Sequence, residues 1–279
     1  MLQLCFGFTD STGTYYKHAL VTLISVFEHT SSKITVHFFI DDTCTEEKKL
    51  QFLEICERYG QIIIFYEMAD IPQEIVDSVP PAFGKGTLFR LFIPELIHAD
   101  KVLYIDCDIV CLLDIQELFD IDICDACLGG APDKGFEIDQ GVRENLEKIG
   151  VPPSHYINAG VLLINTKKIR YDFPDFRNNA LSLIAEHKLA YADQDAINLL
   201  FPKRTLLYPD PSEDTTSLEP YSTSMDQPES IESSGLRKNL GEMDGTIGLL
   251  PQKYNFCINA PGENAYCPFS FYITRSINC

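Results

Sequence analysis

The chain has 279 residues, 45% of them hydrophobic, with 41 acidic against 22 basic residues and a formal charge of -19. That is apolar material enough for a sizeable core, and an excess of negative charge that repels nucleic-acid backbones and anionic lipid surfaces. No stretch approaches the roughly twenty apolar residues of a membrane span. The opening MLQLCFGFTD lacks the basic and apolar regions of a signal peptide. A cytoplasmic protein with its ten cysteines reduced is therefore expected. Cys124 and Cys127 form a lone C-x-x-C with no second ligand pair nearby, so zinc is not expected there.

Taken in order, LQLCFGF reads as a strand, HALVTLISVFEH as an apolar helix and ITVHFFI as a second strand. TEEKKLQFLEICERYG reads as an amphipathic helix with a Thr cap and a Gly stop, and QIIIFYEM as a third strand. LFRLFIPEL reads as a helix leading into the strand KVLYID. YINAGVLLINTKKI is a further strand, and FRNNALSLIAEHK and DQDAINLLF are helical. This alternation predicts an α/β fold with a mainly parallel sheet sandwiched by helices, whose ligands bind beyond the carboxyl ends of the strands. Residues 1–279 are expected to form a single domain. Within it, 208–246 is a polar acidic insertion, rich in Ser, Pro and Thr, expected to be irregular or disordered. The apolar and aromatic segment after it is expected to pack back on the sheet.

VLYIDCDIV, residues 102–110, runs an apolar strand into Asp106 and Asp108. Neighbouring anions left unpaired cost free energy, so the pair makes best sense around a cation or a reacting phosphate. Hard cations favour such oxygen ligands. The bland alternative makes Asp106 a turn or cap residue and Asp108 a solvated one. Two chemistries fit the pair. In one it holds Mg²⁺ or Mn²⁺ against the diphosphate of a nucleotide sugar, the metal neutralising the leaving group. In the other, YIDCDIV resembles the first motif of haloacid dehalogenase-type phosphatases, whose first Asp attacks phosphorus.

Three further stretches bear on the choice. GKGTLFRLFIPELIHADKVLYIDCDIV places Arg90 sixteen residues before Asp106, YINAGVLLIN puts Asn158 and Gly160 at a strand start, and YADQDAINLLF opens a helix with Asp193, Gln194 and Asp195. With the acidic pair, these resemble glycosyltransferase family 8, the retaining nucleotide-sugar transferases that include glycogenins and bacterial galactosyl- and glucosyltransferases. The resemblance covers roughly residues 2 to 205. It implies the nucleotide-diphospho-sugar transferase (GT-A type) fold, UDP-glucose or UDP-galactose as donor, and Mn²⁺ or Mg²⁺ held by Asp106 and Asp108. It further implies that Cys107 contacts the nucleotide and that Phe8, Thr9, Asp10 and Tyr15, in FGFTDSTGTYY, hold uracil and ribose. Arg90 would approach donor sugar and diphosphate, Asn158, Asp193 and Gln194 the transferred sugar, and Asp133 the sugar and acceptor. Gln194, with Asp193, would be catalytic. An amide is a poor nucleophile, so a front-face substitution with Gln194 stabilising developing positive charge is preferred to a double displacement.

The resemblance has a gap. Family members carry a late stretch with His, Gly and Lys followed by Pro-Trp, its His a third metal ligand and its Lys a diphosphate contact. These 279 residues contain no Trp and no His after His187. After QKYNF, which resembles the family, they read CINAPGENAYCPFSFYITRSINC. The alternative function is therefore a catalytically impaired relative that binds nucleotide sugar or a partner protein without turnover. The acceptor, whether carbohydrate, lipid-linked or protein, is not legible, since acceptor pockets are built from variable loops.

Overall fold

A computed structural model describes residues 1–206 except 69, 70, 82 and 124, together with 246–249, 257–258 and 272–273. The strands are β1 (Leu2–Gly7), β2 (Ile34–Ile40), β3 (Ile62–Glu67), β4 (Val102–Ile105), β5 (Ile109–Val110), β6 (Leu128–Pro132), β7 (Ile157–Ile164), β8 (Lys203–Leu206) and β9 (Thr246–Leu249). An eight-stranded sheet runs in the order β3-β2-β1-β4-β7-β6-β9-β8. Its pairings are parallel except those that β7 makes with β4 and β6. A smaller sheet joins β5 to β10 (Cys257–Ile258) and β11 (Tyr272–Ile273).

The mainly parallel sheet follows from burial on both faces. All seven residues of β2 are buried, as a parallel strand between two helical layers requires. On β4 the side chains alternate: Leu103 and Ile105 join Leu4, Phe6, Phe38 and Phe52 under the helices Tyr16–His29 and Glu46–Arg58. Val102 and Tyr104 point the other way, into a core with Phe89, Ile184 and Phe201. That second layer is built by the helical segments Lys85–Phe92, Phe176–His187 and Ala192–Leu200.

Two local expectations change. The helix read over LFRLFIPEL is a 3₁₀ helix over Lys85–Phe92 that turns α-helical only at Ile93–Leu96. Pro94 has no N–H to give the Arg90 carbonyl, and Ile93 N–H takes it three residues on instead. Thr45 does sit at the N-cap of Glu46–Arg58, but its side chain makes no capping bond. Gly60, at φ 65, occupies the left-handed position just past that helix, as the Gly stop requires.

Residues 207–245, almost all of the acidic insertion, lie outside the described residues. Thr246, placed at its end, instead begins β9, which enters the sheet between β6 and β8, so 246–249 do pack back on the sheet. QKYNF lies outside the described residues. Cys5, Cys44, Cys56, Cys107, Cys111 and Cys127 are free and buried, whereas the C-x-x-C reading falls on Cys124, which is not described. No helix among the described residues is long and apolar enough to cross a membrane.

Candidate active site

The strands β1, β2 and β4 deliver their carboxyl ends to one edge of the sheet, and Asp106 and Asp108 follow β4 there. Asp106 N–H is tied to the Gly160 carbonyl of β7 at 2.8 Å. Its Oδ1 accepts from Tyr104 O–H at 2.7 Å and faces Arg90 Nη2 at 3.1 Å. Its Oδ2 lies over Gly160, where an added β-carbon would stand 2.9 Å from it. Asp108 has no side-chain partner among the described residues. Burial and the charge of Asp106 push its carboxyl up to about 6. Cys107 between them is 2% exposed, with its Sγ 3.7 Å from the Gly7 carbonyl. Its side chain therefore faces the sheet, and only its main chain lies between the two acids.

Arg90 is the cation that faces Asp106. The 3₁₀ helix that carries it brings Nε within 2.8 Å of Asp193 Oδ2, while Nη1 donates to the Ala159 carbonyl and the guanidinium lies 4.6 Å over the Tyr104 ring. Burial opposes its charge, but Asp106 and Asp193 outweigh burial and hold the guanidinium firmly protonated. Asp193 is 3% exposed, and its second oxygen accepts from Thr87 O–H, three residues before Arg90. Burial pushes its carboxyl up to about 6 against the pull of Arg90. Asp193 is thus no helix cap. The N-cap position is Tyr191, which has no side-chain capping bond; Asp195, inside the first turn, reaches back to accept from Tyr191 N–H at 3.0 Å as well as from Asn145 and from Tyr156 O–H at 2.6 Å. Ala192, at φ 38, holds a left-handed conformation that a residue with a β-carbon rarely adopts, directly before Asp193.

Asp133 joins the remaining polar residues. Its Oδ1 accepts from Gly135 N–H at 2.7 Å, and its Oδ2 accepts from Gln194 Nε2 at 2.9 Å and Asn158 Nδ2 at 3.3 Å. The carbonyl oxygens of both amides turn to the main chain of β7: Gln194 Oε1 accepts from Ala159 N–H at 2.9 Å, and Asn158 Oδ1 from Gly160 N–H at 2.8 Å. Asn198, fully buried, fixes the helix to the same strand by accepting from Ile157 N–H and donating to the Ile157 carbonyl. Arg90, Asp106, Asn158, Asp193, Gln194 and Asp133 are therefore linked through side-chain bonds or through β7.

The loop after β1 is held differently. Phe8 is 2% exposed, with its ring among Tyr15, Phe38 and Phe52, so only its main chain faces the strand end. Asp10 turns inward: its carboxylate pairs with Lys48 at 2.7 Å and accepts from Tyr15 N–H at 2.7 Å. Those contacts outweigh burial and hold the carboxyl below its usual range. Tyr15 borders the acidic pair, since burial together with Cys107, Asp108 and Asp106 raises its phenol. Gly86 lets the start of the 3₁₀ helix close on this loop, for a β-carbon there would stand 2.7 Å from Thr9 N.

The sequence model of glycosyl transferase family 8 matches residues 8–211. The chain belongs to that family. General stress protein A of Bacillus subtilis is 26% identical over 196 residues, 67% of this chain and 65% of that protein. The lipopolysaccharide 1,3-galactosyltransferase of Salmonella typhimurium is 25% identical over 189 residues, 64% of this chain and 54% of that protein. The chain thus spans somewhat over half the length of these family 8 relatives. A crystal structure of an active-site mutant of LgtC superposes with a TM-score of 0.59 at 25% identity, over 74% of this chain and 75% of that one. The fold is accordingly the GT-A type, and the dehalogenase-type alternative falls away.

Several residues that complete this candidate site carried no sequence signal of their own. Thr87, after Gly84-Lys85-Gly86, and Tyr104, in an apolar strand, take their roles from position: Thr87 lies one 3₁₀ turn before Arg90, and Tyr104 shares a strand face with Asp106. Lys48 could not be paired with Asp10 from sequence, because the two meet only when β1 and β2 lie side by side.

Proposed function

We propose that the chain transfers a hexose, glucose or galactose, from a UDP-sugar to a hydroxyl acceptor with retention of configuration. Asp106 and Asp108 would hold Mn²⁺ or Mg²⁺. The observation that carries this reading is Asp108: a half-buried carboxylate beside a second carboxylate, with no side-chain hydrogen bond or ion pair among the described residues and with His18 and Arg90 acting on it only at longer range. Two such groups at a strand end are the oxygen donors that a hard divalent ion takes. The ion would neutralise charge on the departing UDP. The galactosyltransferase named among the relatives supports a hexose donor.

In this reading Arg90 holds Asp106 with one edge of its guanidinium and Asp193 with the other, so Asp193 acts on the sugar subsite by fixing Arg90. Gln194 is held at both ends of its amide, which keeps its oxygen in one orientation near the anomeric carbon, where positive charge develops. The acceptor hydroxyl attacks on the face that the diphosphate leaves, and its proton passes to the departing phosphate oxygen. Asn158 and Asp133 orient the sugar, Phe8, Thr9 and Cys107 offer main-chain groups to the nucleoside, and Tyr15 offers its ring. Asp10 shapes that loop through Lys48.

Calorimetric titration with UDP, with and without Mn²⁺, tests the proposal together with UDP release from UDP-glucose and UDP-galactose. Metal-dependent binding with slow hydrolysis is expected, and Gln194→Ala should spare the binding and slow the release. Metal-dependent binding without any hydrolysis in the parent would return the binding-only alternative. Absence of UDP binding would overturn both.

A further inference from the structure

The helix Tyr16–His29 is largely apolar where it meets the sheet, yet it buries Thr22 completely and Ser25 nearly so. A buried hydroxyl with no partner costs free energy, so its bonds show what it is for. Thr22 Oγ1 donates to the Cys107 carbonyl at 2.7 Å and accepts from Ile109 N–H at 3.2 Å. These two bonds grip the main chain immediately before and immediately after Asp108. Farther along, Ser25 Oγ accepts from Cys111 N–H at 2.9 Å, and Thr30 Oγ1 accepts from Ile115 N–H at 3.2 Å. Three hydroxyls from one helix and its end thus satisfy the main chain of the segment that leaves β4.

Thr22 is distinct within this ladder because it bonds on both sides of one residue. Asp106 is aimed by Tyr104 and Arg90. Asp108 has no side-chain hydrogen bond or ion pair among the described residues, so the main chain that carries it is what sets its direction. Cys107, turned inward toward Gly7, fixes the alternation between the two acids. We infer that Thr22 is a positioning residue for Asp108: its hydroxyl clamps the Cys107 carbonyl and the Ile109 N–H, and so points the second carboxylate at the ion it shares with Asp106. The inference rests on reading Asp106 and Asp108 as a metal pair.

The test compares Thr22→Val, Thr22→Ser and Thr30→Val in the full chain. Mn²⁺ binding is followed by loss of the free-ion electron paramagnetic resonance signal, metal-free UDP binding by calorimetry, and folding by thermal unfolding. Thr22→Val should weaken Mn²⁺ binding about tenfold, the scale of losing a partner behind a metal ligand, and leave metal-free UDP binding at the parent value. Thr22→Ser keeps the hydroxyl and should restore Mn²⁺ affinity. Thr30→Val removes a main-chain partner from the same segment and should lower the unfolding temperature without touching Mn²⁺ affinity. Should the valine variant not fold, Thr22→Ala is measured in its place with the same expectation. Parent-like Mn²⁺ binding in Thr22→Val, or an equal loss in Thr30→Val, overturns the inference while leaving the metal pair in place. A parent that binds no Mn²⁺ overturns the metal pair, and the inference with it.

Discussion

Two groups of aspartates lie at the same edge of the sheet and differ in what neutralises them. At the ends of β1 and β2, Asp10 pairs with Lys48 at 2.7 Å and Asp41 with Lys85 at 2.8 Å, one lysine to each acid. At the end of β4, Asp106 and Asp193 share the single guanidinium of Arg90, and Asp108 makes no ion pair among the described residues, His18 and Arg90 reaching it only at longer range. The first group is electrically complete within the fold. The second carries three carboxylates against one guanidinium, and fixed charge left unbalanced in a partly buried place costs stability unless a ligand supplies the difference. An aspartate matched by the chain's own lysine reads as structure. One left unmatched at a strand end reads as a site.

The comparison predicts opposite signs for the same chemical change. Asp108→Asn should lower Mn²⁺ affinity by about a hundredfold or more, since even partners behind a metal ligand cost 10–100-fold and this is a ligand itself. Without metal the same variant should unfold at a higher temperature than the parent, because the repulsion between Asp106 and Asp108 is gone. Asp41→Asn should do the reverse to stability. It breaks the pair with Lys85 and weakens the turn that Thr43 N–H closes on Asp41 at 3.1 Å, costing about 2 kcal/mol. Thermal unfolding of the three metal-free proteins decides the matter. If both variants shift in the same direction, the distinction between matched and unmatched acids fails.

Gly160→Ala sharpens the comparison on the unmatched side alone. Its β-carbon would stand 2.9 Å from Asp106 Oδ2 and from Asn158 Oδ1, so one or both must move. Mn²⁺ titration should show affinity reduced about tenfold, the effect of disturbing a ligand's support without removing the ligand. Parent-like affinity would mean that Asp106 Oδ2 has room to spare and is not held against the ion.

How much of this was legible in the sequence depends on whether the signal was local. ITVHFFI over 34–40 became β2 with the same ends, because a strand buried on both faces is a continuous apolar run. The carboxylate pair was legible because both residues sit on one strand end. LGGAP, which forms β6, was not legible as a strand. A β-carbon at Gly130 would stand 2.5 Å from Ile157 Cδ1 and 3.3 Å from Ile157 Cβ, so the close packing on β7 favours a residue that itself lowers strand propensity. The inward turn of Phe8 and Asp10 was equally hidden. An aromatic and an acid in a loop suggest a ligand until Phe38, Phe52 and Lys48, contributed by other elements, occupy them first. Arg90 was found as a motif residue, but its double duty to Asp106 and Asp193 needed three distant segments brought together.

The smallest expected effect belongs to the matched side and concerns pH. His37 on β2 is 5% exposed, between Gln3 Oε1 at 2.8 Å from its Nε2 and the Tyr66 hydroxyl at 2.9 Å from its Nδ1. An amide oxygen only accepts, so Nε2 carries a proton, and in the neutral ring that burial favours, Nδ1 accepts from the Tyr66 hydroxyl. Burial pushes its pKa from the usual 6.5 down to about 4. Between those values the unfolded chain binds a proton that the folded chain refuses, so stability falls as pH drops through this window and levels off below it. Denaturant unfolding at pH 7 and pH 5 should show the loss in the parent and a smaller loss in His37→Asn. UDP with Mn²⁺ should leave that difference between the two proteins unchanged, since nothing at His37 is waiting for a ligand. An equal loss in both proteins would assign the pH dependence to other groups, and a difference abolished by UDP and Mn²⁺ would place His37 with the unmatched acids after all.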